Sequence, residues 1–224
     1  MPDSEPTYSD AFFTWPRVAA LVVAVAVLAG GIGYSIGRPG SADLNDVDIG
    51  FLADMTTHHQ GAVSLSFAYL PNQNDGAVAA IAQGIVVGQS VEINFMNSRL
   101  LASGDDNKVD AIVNDDVAMD WMGEPVAPGD MPGLATQAEF DELEAATGVE
   151  ADDVFTRLMI DHHAAGVEMA DYVVAHGADE VTRRFARAMA KNQRYEIDEM
   201  NARREKLGLE RHESHGARTH VTGG

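Results

Sequence analysis

Apolar residues recur at helical spacing in four long stretches of the chain. In the stretches around Leu52 and Met159, apolar or small side chains return three and four positions apart, and the stretches around Ile85 and Met189 share this spacing. Such a period places one face of an α-helix against a core. No alternating pattern of strand length competes with it, so the chain is predicted to be all-α outside its linkers.

Capping residues and helix breakers set the expected limits of these helices. The four helices are predicted at 46 or 48 to 70, 74 or 75 to 102, 152 or 153 to 176, and 179 to 207. Thr136 and Glu139 have capping-box spacing and predict a short additional helix that ends near Thr147.

The first two helices and the last two repeat each other with a constant offset of 104 residues. The retained positions are imidazole, amide, carboxylate and thioether side chains: Met55 and Met159, His58 and His162, His59 and His163, Gln89 and Gln193, Glu92 and Glu196, Met96 and Met200. Two duplicated helical hairpins that pack face to face make a four-helix bundle with pseudo-twofold symmetry. That bundle is the predicted fold.

The bundle is expected to follow a membrane anchor. Residues 18–37 carry no charged side chain and are long enough to cross a bilayer. An uncleaved anchor is favoured over a signal peptide, because the first sixteen residues contain Asp3, Glu5 and Asp10 but no Lys or Arg. The predicted segments are a tail at 1–17, the anchor at 18–37, the bundle at 44–207 and a disordered tail at 208–224. Within the bundle, the repeats occupy 44–104 and 151–207, and the linker occupies 105–150.

Composition excludes several kinds of chemistry and partner. The chain has no cysteine, which rules out disulfides, thiolate metal sites, iron–sulfur clusters and thiol nucleophiles. The formal net charge of -20 would repel a polyanion, so no nucleic acid partner is expected. A metal ion and, through the anchor, a membrane are the expected partners, and a homo-oligomer stays open.

Polar side chains interrupt the apolar face of every core helix. His59 and His163 are predicted to point inward, towards Glu92 and Glu196, because a buried carboxylate needs a cation or a hydrogen-bond donor opposite it. We expect Gln89 and Gln193 to orient a histidine or glutamate rather than to bind metal directly. The same type of orienting contact is common around metal ligands.

Two interpretations of this polar core remain open. The first is a metal site that uses the inward His and Glu side chains, with four methionines as soft donors: Met55, Met96, Met159 and Met200. Imidazole with thioether favours copper, particularly copper(I), whereas imidazole with carboxylate also accepts zinc, iron or manganese. The second is a pair of metal-free His–Glu hydrogen bonds, with the methionines filling the core.

The motifs together resemble the domain of unknown function 305 family in its tandem form. The motifs are MTTHHQGAV and MIDHHAAGVEMA, each followed by QxxEIxxM, with DMPGLATQAEF between the repeats. The resemblance covers residues 44–207. It implies a ferritin-like helical bundle, export beyond the cytoplasmic membrane and, in some members, copper binding by His and Met. It marks these positions as candidate ligands: His58, His59, His162, His163, Met55, Met159, Met169, Met96 and Met200.

The first repeat departs from this pattern. Leu65 and Ser64 stand where the second repeat has Met169 and Glu168, so its site is expected to be weaker or the two sites unequal.

The leading prediction is a membrane-anchored, extracytoplasmic protein that sequesters or buffers copper and catalyses no reaction. One alternative is a ferritin-like iron or manganese oxidase. The four core helices contain no Glu-x-x-His motif, which disfavours it. The other alternative is a metal-free bundle whose His–Glu pairs specify helix register.

Overall fold

The computed structural model describes residues 43–104, 106–113 and 116–214, and within these ranges the chain forms helices and no strand. The α-helices are α1 (Asp46–Tyr69), α2 (Gly76–Leu101), α3 (Asp106–Ile112), α4 (Gln137–Ala145), α5 (Val149–His176) and α6 (Glu180–Lys206). The predicted all-α class is therefore confirmed. The predicted anchor at 18–37 lies outside the described residues.

Three of the four long helices begin at side-chain caps close to the predicted limits. Asn45 forms a capping box with Asp48 at the start of α1, Asp75 caps α2, and Asp179 caps α6. Each cap satisfies backbone N–H groups that the first turn of a helix leaves without a partner.

Helix α5 begins earlier than the sequence predicts. It starts at Val149 after Gly148, which has a φ of 66°, and not at Asp152 or Asp153. Asp152 does not cap its own helix because its buried carboxylate accepts hydrogen bonds from the other repeat. Helix α3 was not predicted, and none of its seven residues is buried. A helix without a buried face leaves no apolar period in the sequence.

The long helices form two hairpins, α1 with α2 and α5 with α6, which pack together mainly through α1 and α5. Tyr69 of α1 stacks on Phe155 of α5 with ring centroids 4.3 Å apart. The outer helices meet where Phe95 contacts Phe185 and where Arg99 binds Asp179 at 2.8 Å. The helical bundle is clear from these contacts, while its ferritin-like arrangement stays a prediction.

Two fully buried aspartates join the repeats reciprocally. Asp48 at the start of α1 accepts hydrogen bonds from the backbone of Ala178 and Asp179, just ahead of α6. Asp152 near the start of α5 accepts from Asn74 and Asp75, just ahead of α2. The first helix of each repeat thus holds the beginning of the other repeat's second helix.

Helix α2 combines high hydropathy with a packed inner face. Its 26 residues meet the length and composition required to cross a membrane. However, its buried side includes Ile85, Gln89 and Glu92 and packs on α1. Core helices of the same composition meet the same criteria, so this helix does not stand in for the predicted anchor.

The first part of the predicted disordered tail contacts the bundle. The backbone N–H of His212 donates to Asn201 at 2.8 Å, and its Nε2 lies 2.9 Å from the Asp161 carboxylate. Arg204 also donates to the carbonyl of Glu210 at 2.8 Å. Helices α5 and α6 thus supply partners for polar groups of residues 208–214, and the rest of the predicted disordered tail lies outside the described residues.

Candidate metal centre

The two His-His pairs lie on α1 and α5, where the hairpins meet. His58, His59 and His163 are fully buried and His162 is 1% exposed. Consecutive residues of a helix point about 100° apart. Both members of each pair are nevertheless buried, because α1 and α5 each contact a hairpin partner on one side and each other on another.

One histidine of each pair binds a glutamate from the neighbouring helix of its own repeat. His59 Nε2 lies 2.7 Å from Glu92 Oε2, and His163 Nε2 lies 2.6 Å from Glu196 Oε2. Glu92 is 5% exposed, whereas the side chain of Glu196 is 21% exposed. The structure therefore brings together both His–Glu pairs that the sequence predicts to face each other.

The other two histidines stack on each other across the repeats. The rings of His58 and His162 have centroids 3.8 Å apart. His58 Nε2 lies 3.1 Å from the carbonyl oxygen of Pro132, and His162 Nε2 lies 2.8 Å from the carbonyl oxygen of His58. A carbonyl oxygen only accepts hydrogen bonds, so both Nε2 atoms carry a proton and donate it.

The four imidazoles share one hydrogen-bonding state. Each Nε2 faces a carbonyl or carboxylate acceptor, so the neutral ring holds its lone pair on Nδ1. All four Nδ1 atoms are buried and have no hydrogen-bond partner. Metal-binding histidines typically donate their second N–H to a carbonyl or carboxylate in this way.

Burial keeps the stacked histidines neutral. Desolvation is the largest cause that lowers the pKa of His58 to about 3, followed by the neighbouring His59, while the Pro132 carbonyl acts in the opposite direction. Desolvation also lowers the pKa of His162 well below its usual value, reinforced by His58 and His163. A neutral imidazole is the form that binds metal, so these rings need lose no proton before coordination.

Glu92 and Glu196 have a different position from the one expected of metal ligands. Both carboxylates contact the Nε2 side of a histidine ring, whereas the lone pairs lie on Nδ1. Within residues 43–104, 106–113 and 116–214, no three His, Asp or Glu side chains form a group that could hold a metal ion. The carboxylates are thus placed to orient imidazoles.

The candidate methionines are all buried. Met55 precedes His58 and His59 by three and four positions, and Met159 precedes His162 and His163 by the same spacing, which puts the side chains on neighbouring parts of the helix surface. Met96, Met169 and Met200 are no more than 1% exposed.

Gln89 and Gln193 do not show the orienting contacts predicted for them. Both are buried, yet neither amide oxygen nor amide nitrogen makes a hydrogen bond. The acceptors of the imidazoles are two glutamates and two backbone carbonyls instead.

A turn in the linker contributes to the site without a predicted role. Pro132 supplies the acceptor for His58, and the following Gly133 has a φ of 82°. A Cβ on Gly133 would lie 2.8 Å from the Cα of His162. The Pro-Gly pair in the sequence is a turn signal, but it does not reveal which helix the turn contacts.

Comparisons with known proteins agree on one family. The model of the family "Domain of unknown function (DUF305)" matches residues 48–204. A candidate secreted DUF305 protein from Streptomyces coelicolor has 33% identity and a TM-score of 0.62, over 75% of this chain and 97% of that protein. A DUF305 fragment from Deinococcus radiodurans has 27% identity and a TM-score of 0.58, over 74% and 97%.

A third solved structure has the same fold at lower identity. It is CopM in the Cu(I)-bound form, with 24% identity and a TM-score of 0.51, over 71% of this chain and 96% of that protein. None of the curated proteins matches the chain.

Proposed function

The chain belongs to the DUF305 family, and from that premise we propose that its helical domain binds copper to sequester or buffer the ion, without catalysing a reaction. One observation carries the proposal. Four buried imidazoles each direct Nε2 at an acceptor and leave Nδ1 without a hydrogen-bond partner: His58, His59, His162 and His163.

The neighbouring donors favour copper(I) over harder ions. Met55, Met159 and Met169 are buried on the histidine-bearing helices, and a soft thioether suits copper(I) better than it suits zinc, iron or manganese. Met96 and Met200 are further candidate donors on the outer helices. The Cu(I)-bound form of CopM, which has the same fold, supports this choice of metal.

The glutamates have a supporting role in this proposal. Glu92 and Glu196 accept from Nε2 and thereby fix the ring orientation and increase the basicity of Nδ1. This use of both carboxylates gives no support to the oxidase alternative, in which glutamates bind metal directly.

Replacement of His59 and His163 by glutamine tests the ligand role. The amide of a glutamine can keep a donor near the position of Nε2, facing Glu92 or Glu196, but it has no lone pair at the position of Nδ1. Copper(I) affinity of the purified full chain would be measured by competition with a chromophoric chelator. We expect His59→Gln and His163→Gln each to weaken binding at least ~10-fold, as loss of a metal-site interaction typically does.

His212→Gln is the matched control, because His212 also binds a carboxylate, Asp161, but lies in the C-terminal tail. Its copper affinity should equal that of the unchanged protein. If both core variants bind copper(I) normally and lose only thermal stability, the metal-free interpretation replaces ours.

We also propose that the domain lies outside the cytoplasmic membrane, held by residues 18–37. The support is the uncharged run in the sequence and the likeness to the candidate secreted protein of Streptomyces coelicolor. Protease added to intact cells should digest the domain, and full protection in intact cells with digestion after lysis would refute this location.

A further inference from the structure

Two buried amides are without hydrogen-bond partners at equivalent positions of the repeats. Gln89 on α2 is 4% exposed and Gln193 on α6 is 2% exposed. The oxygen and the nitrogen of both amides are fully buried and make no hydrogen bond. The hydroxyl of Ser66 on α1 is in the same state.

Buried amides of this kind need a partner. In folded proteins, nearly all buried polar groups bond to protein or to ordered water, because burial without a partner is costly. An apolar side chain would avoid that cost at either position. The two repeats nevertheless both have glutamine here, although they differ at other buried positions such as Leu65 and Met169.

A glycine of the inner helix α5 brings the backbone close to one of the two amides. Gln193 Oε1 lies 2.6 Å, and its Nε2 3.2 Å, from the point where a Cβ on Gly166 would stand. The position equivalent to Gly166 in the first repeat is Ala62. The absent side chain of Gly166 therefore allows the Gln193 amide to lie against the α5 backbone.

We propose that the amides of Gln89 and Gln193 each bind ordered water inside the bundle. Water suits an amide because the amide both donates and accepts, and a buried water typically makes about three hydrogen bonds. A bound ion suits the amides less well, since the nearest carboxylates along the same helix faces, Glu92 and Glu196, already bind histidines.

This site is separate from the proposed metal ligands. Gln89 and Gln193 precede Glu92 and Glu196 by three positions, so they lie one helical turn away from the His–Glu contacts. The water site is therefore expected in protein that has been stripped of metal, and its failure would leave the copper proposal untouched.

Replacement of each glutamine by methionine tests the site, because methionine has a similar length and no hydrogen-bonding amide. Long-lived internal water in the metal-free full chain would be counted by ¹⁷O magnetic relaxation dispersion. We expect Gln89→Met and Gln193→Met each to remove at least about one such water, given the polar partners that buried water requires. A crystal structure of the metal-free protein should show water at hydrogen-bond distance from each amide.

Gln83→Met is the matched control, because Gln83 lies on the exposed side of α2. It should leave the number of internal waters unchanged. Circular dichroism would verify that the variants keep their helices. The proposal is overturned if the count is equal in all four proteins, or if the crystal structure shows the amides bonded directly to protein groups with no water beside them.

Discussion

Substitution of Asp152 by asparagine should destabilise the protein strongly, although it replaces only one oxygen atom by an NH2 group. Asp152 Oδ1 accepts from the Tyr69 hydroxyl at 2.5 Å, and Oδ2 accepts from Asn74 Nδ2 at 3.0 Å and from the Asp75 N–H at 3.1 Å. An asparagine has one acceptor oxygen and one NH2 group. At least one of the donors that now bind the two carboxylate oxygens would therefore face another N–H donor.

The magnitude follows from the contacts that are weakened. A hydrogen bond to a charged group contributes about 1.5–3 kcal/mol, and the buried carboxylate makes such bonds on both oxygens. Tyr69 can rotate its hydroxyl to accept from the new amino group, which recovers part of the loss. We therefore expect Asp152→Asn to lower the free energy of unfolding by about 2–4 kcal/mol.

Asp48 is the natural control for this prediction, because it holds the equivalent position in the first repeat. Its Oδ2 accepts from three backbone N–H groups, those of Asn45, Ala178 and Asp179, while its Oδ1 has no partner. Val173 stands where the other repeat has Tyr69. Asp48→Asn can keep an oxygen at the Oδ2 position and should cost only about 1–2 kcal/mol, mainly the lost charge.

Urea denaturation, monitored by circular dichroism, would give the free energy of unfolding of both variants. Equal dependence of this free energy on urea concentration would show that both variants expose the same surface on unfolding. Tyr69→Phe, alone and with Asp152→Asn, completes a double-mutant cycle that isolates the Tyr69–Asp152 interaction. The explanation is refuted if the two asparagine variants lose equal free energies of unfolding, or if Asp48→Asn loses more, because it depends on the different hydrogen-bond partners of the two aspartates.

Three further predictions concern the candidate metal centre. The metal-free protein should lose stability as the pH falls below about 6.5, because burial lowers the pKa of His58 to about 3 and also lowers the pKa of His162, so that protonation favours the unfolded chain. The free energies of unfolding from urea denaturation at pH 7 and pH 5 should differ by about 2 kcal/mol from His58, with a further loss at pH 5 from His162, and equal values would contradict this. Met169→Leu should weaken copper(I) binding several-fold in a chelator competition with little loss of stability, because Leu65 already occupies the equivalent position, and an unchanged affinity would remove Met169 from the ligand set. Gly133→Ala should lower the midpoint of thermal unfolding, because a Cβ there would lie 2.8 Å from the His162 Cα and the backbone has a φ of 82°. An unchanged midpoint would mean that the turn does not pack tightly against α5.

The helices and the duplication were accessible from the sequence because both leave a periodic record. The caps Asp75 and Asp179 lie next to the helices they start, so local sequence reveals them. The sequence predicts Asp152 as a helix cap, whereas its hydrogen-bond partners lie in the other repeat, about 80 residues away. A hydrogen bond between residues so far apart in the chain produces no local sequence pattern that would predict it.

The sequence predicts which residues form the candidate metal centre better than it predicts what each of them does there. Sequence spacing brings His59 to Glu92 and His163 to Glu196, but it cannot tell which ring nitrogen meets the carboxylate. That choice decides whether a glutamate binds a metal or orients a ligand. The orphan amides of Gln89 and Gln193 were likewise invisible, because only the packed interior shows that no side chain reaches them.

The linker makes the two repeats differ in the carbonyl group that each stacked histidine contacts. Two repeats supply two equivalent histidines, His58 and His162, but one linker supplies only one Pro132 carbonyl. His58 takes that acceptor, and His162 takes the carbonyl of His58 itself. The orientation of the second ring therefore depends on α1, whereas the orientation of the first depends on the linker turn. Any movement of the turn would change His58 first, so the two halves of the centre are unequal even where their side chains are identical.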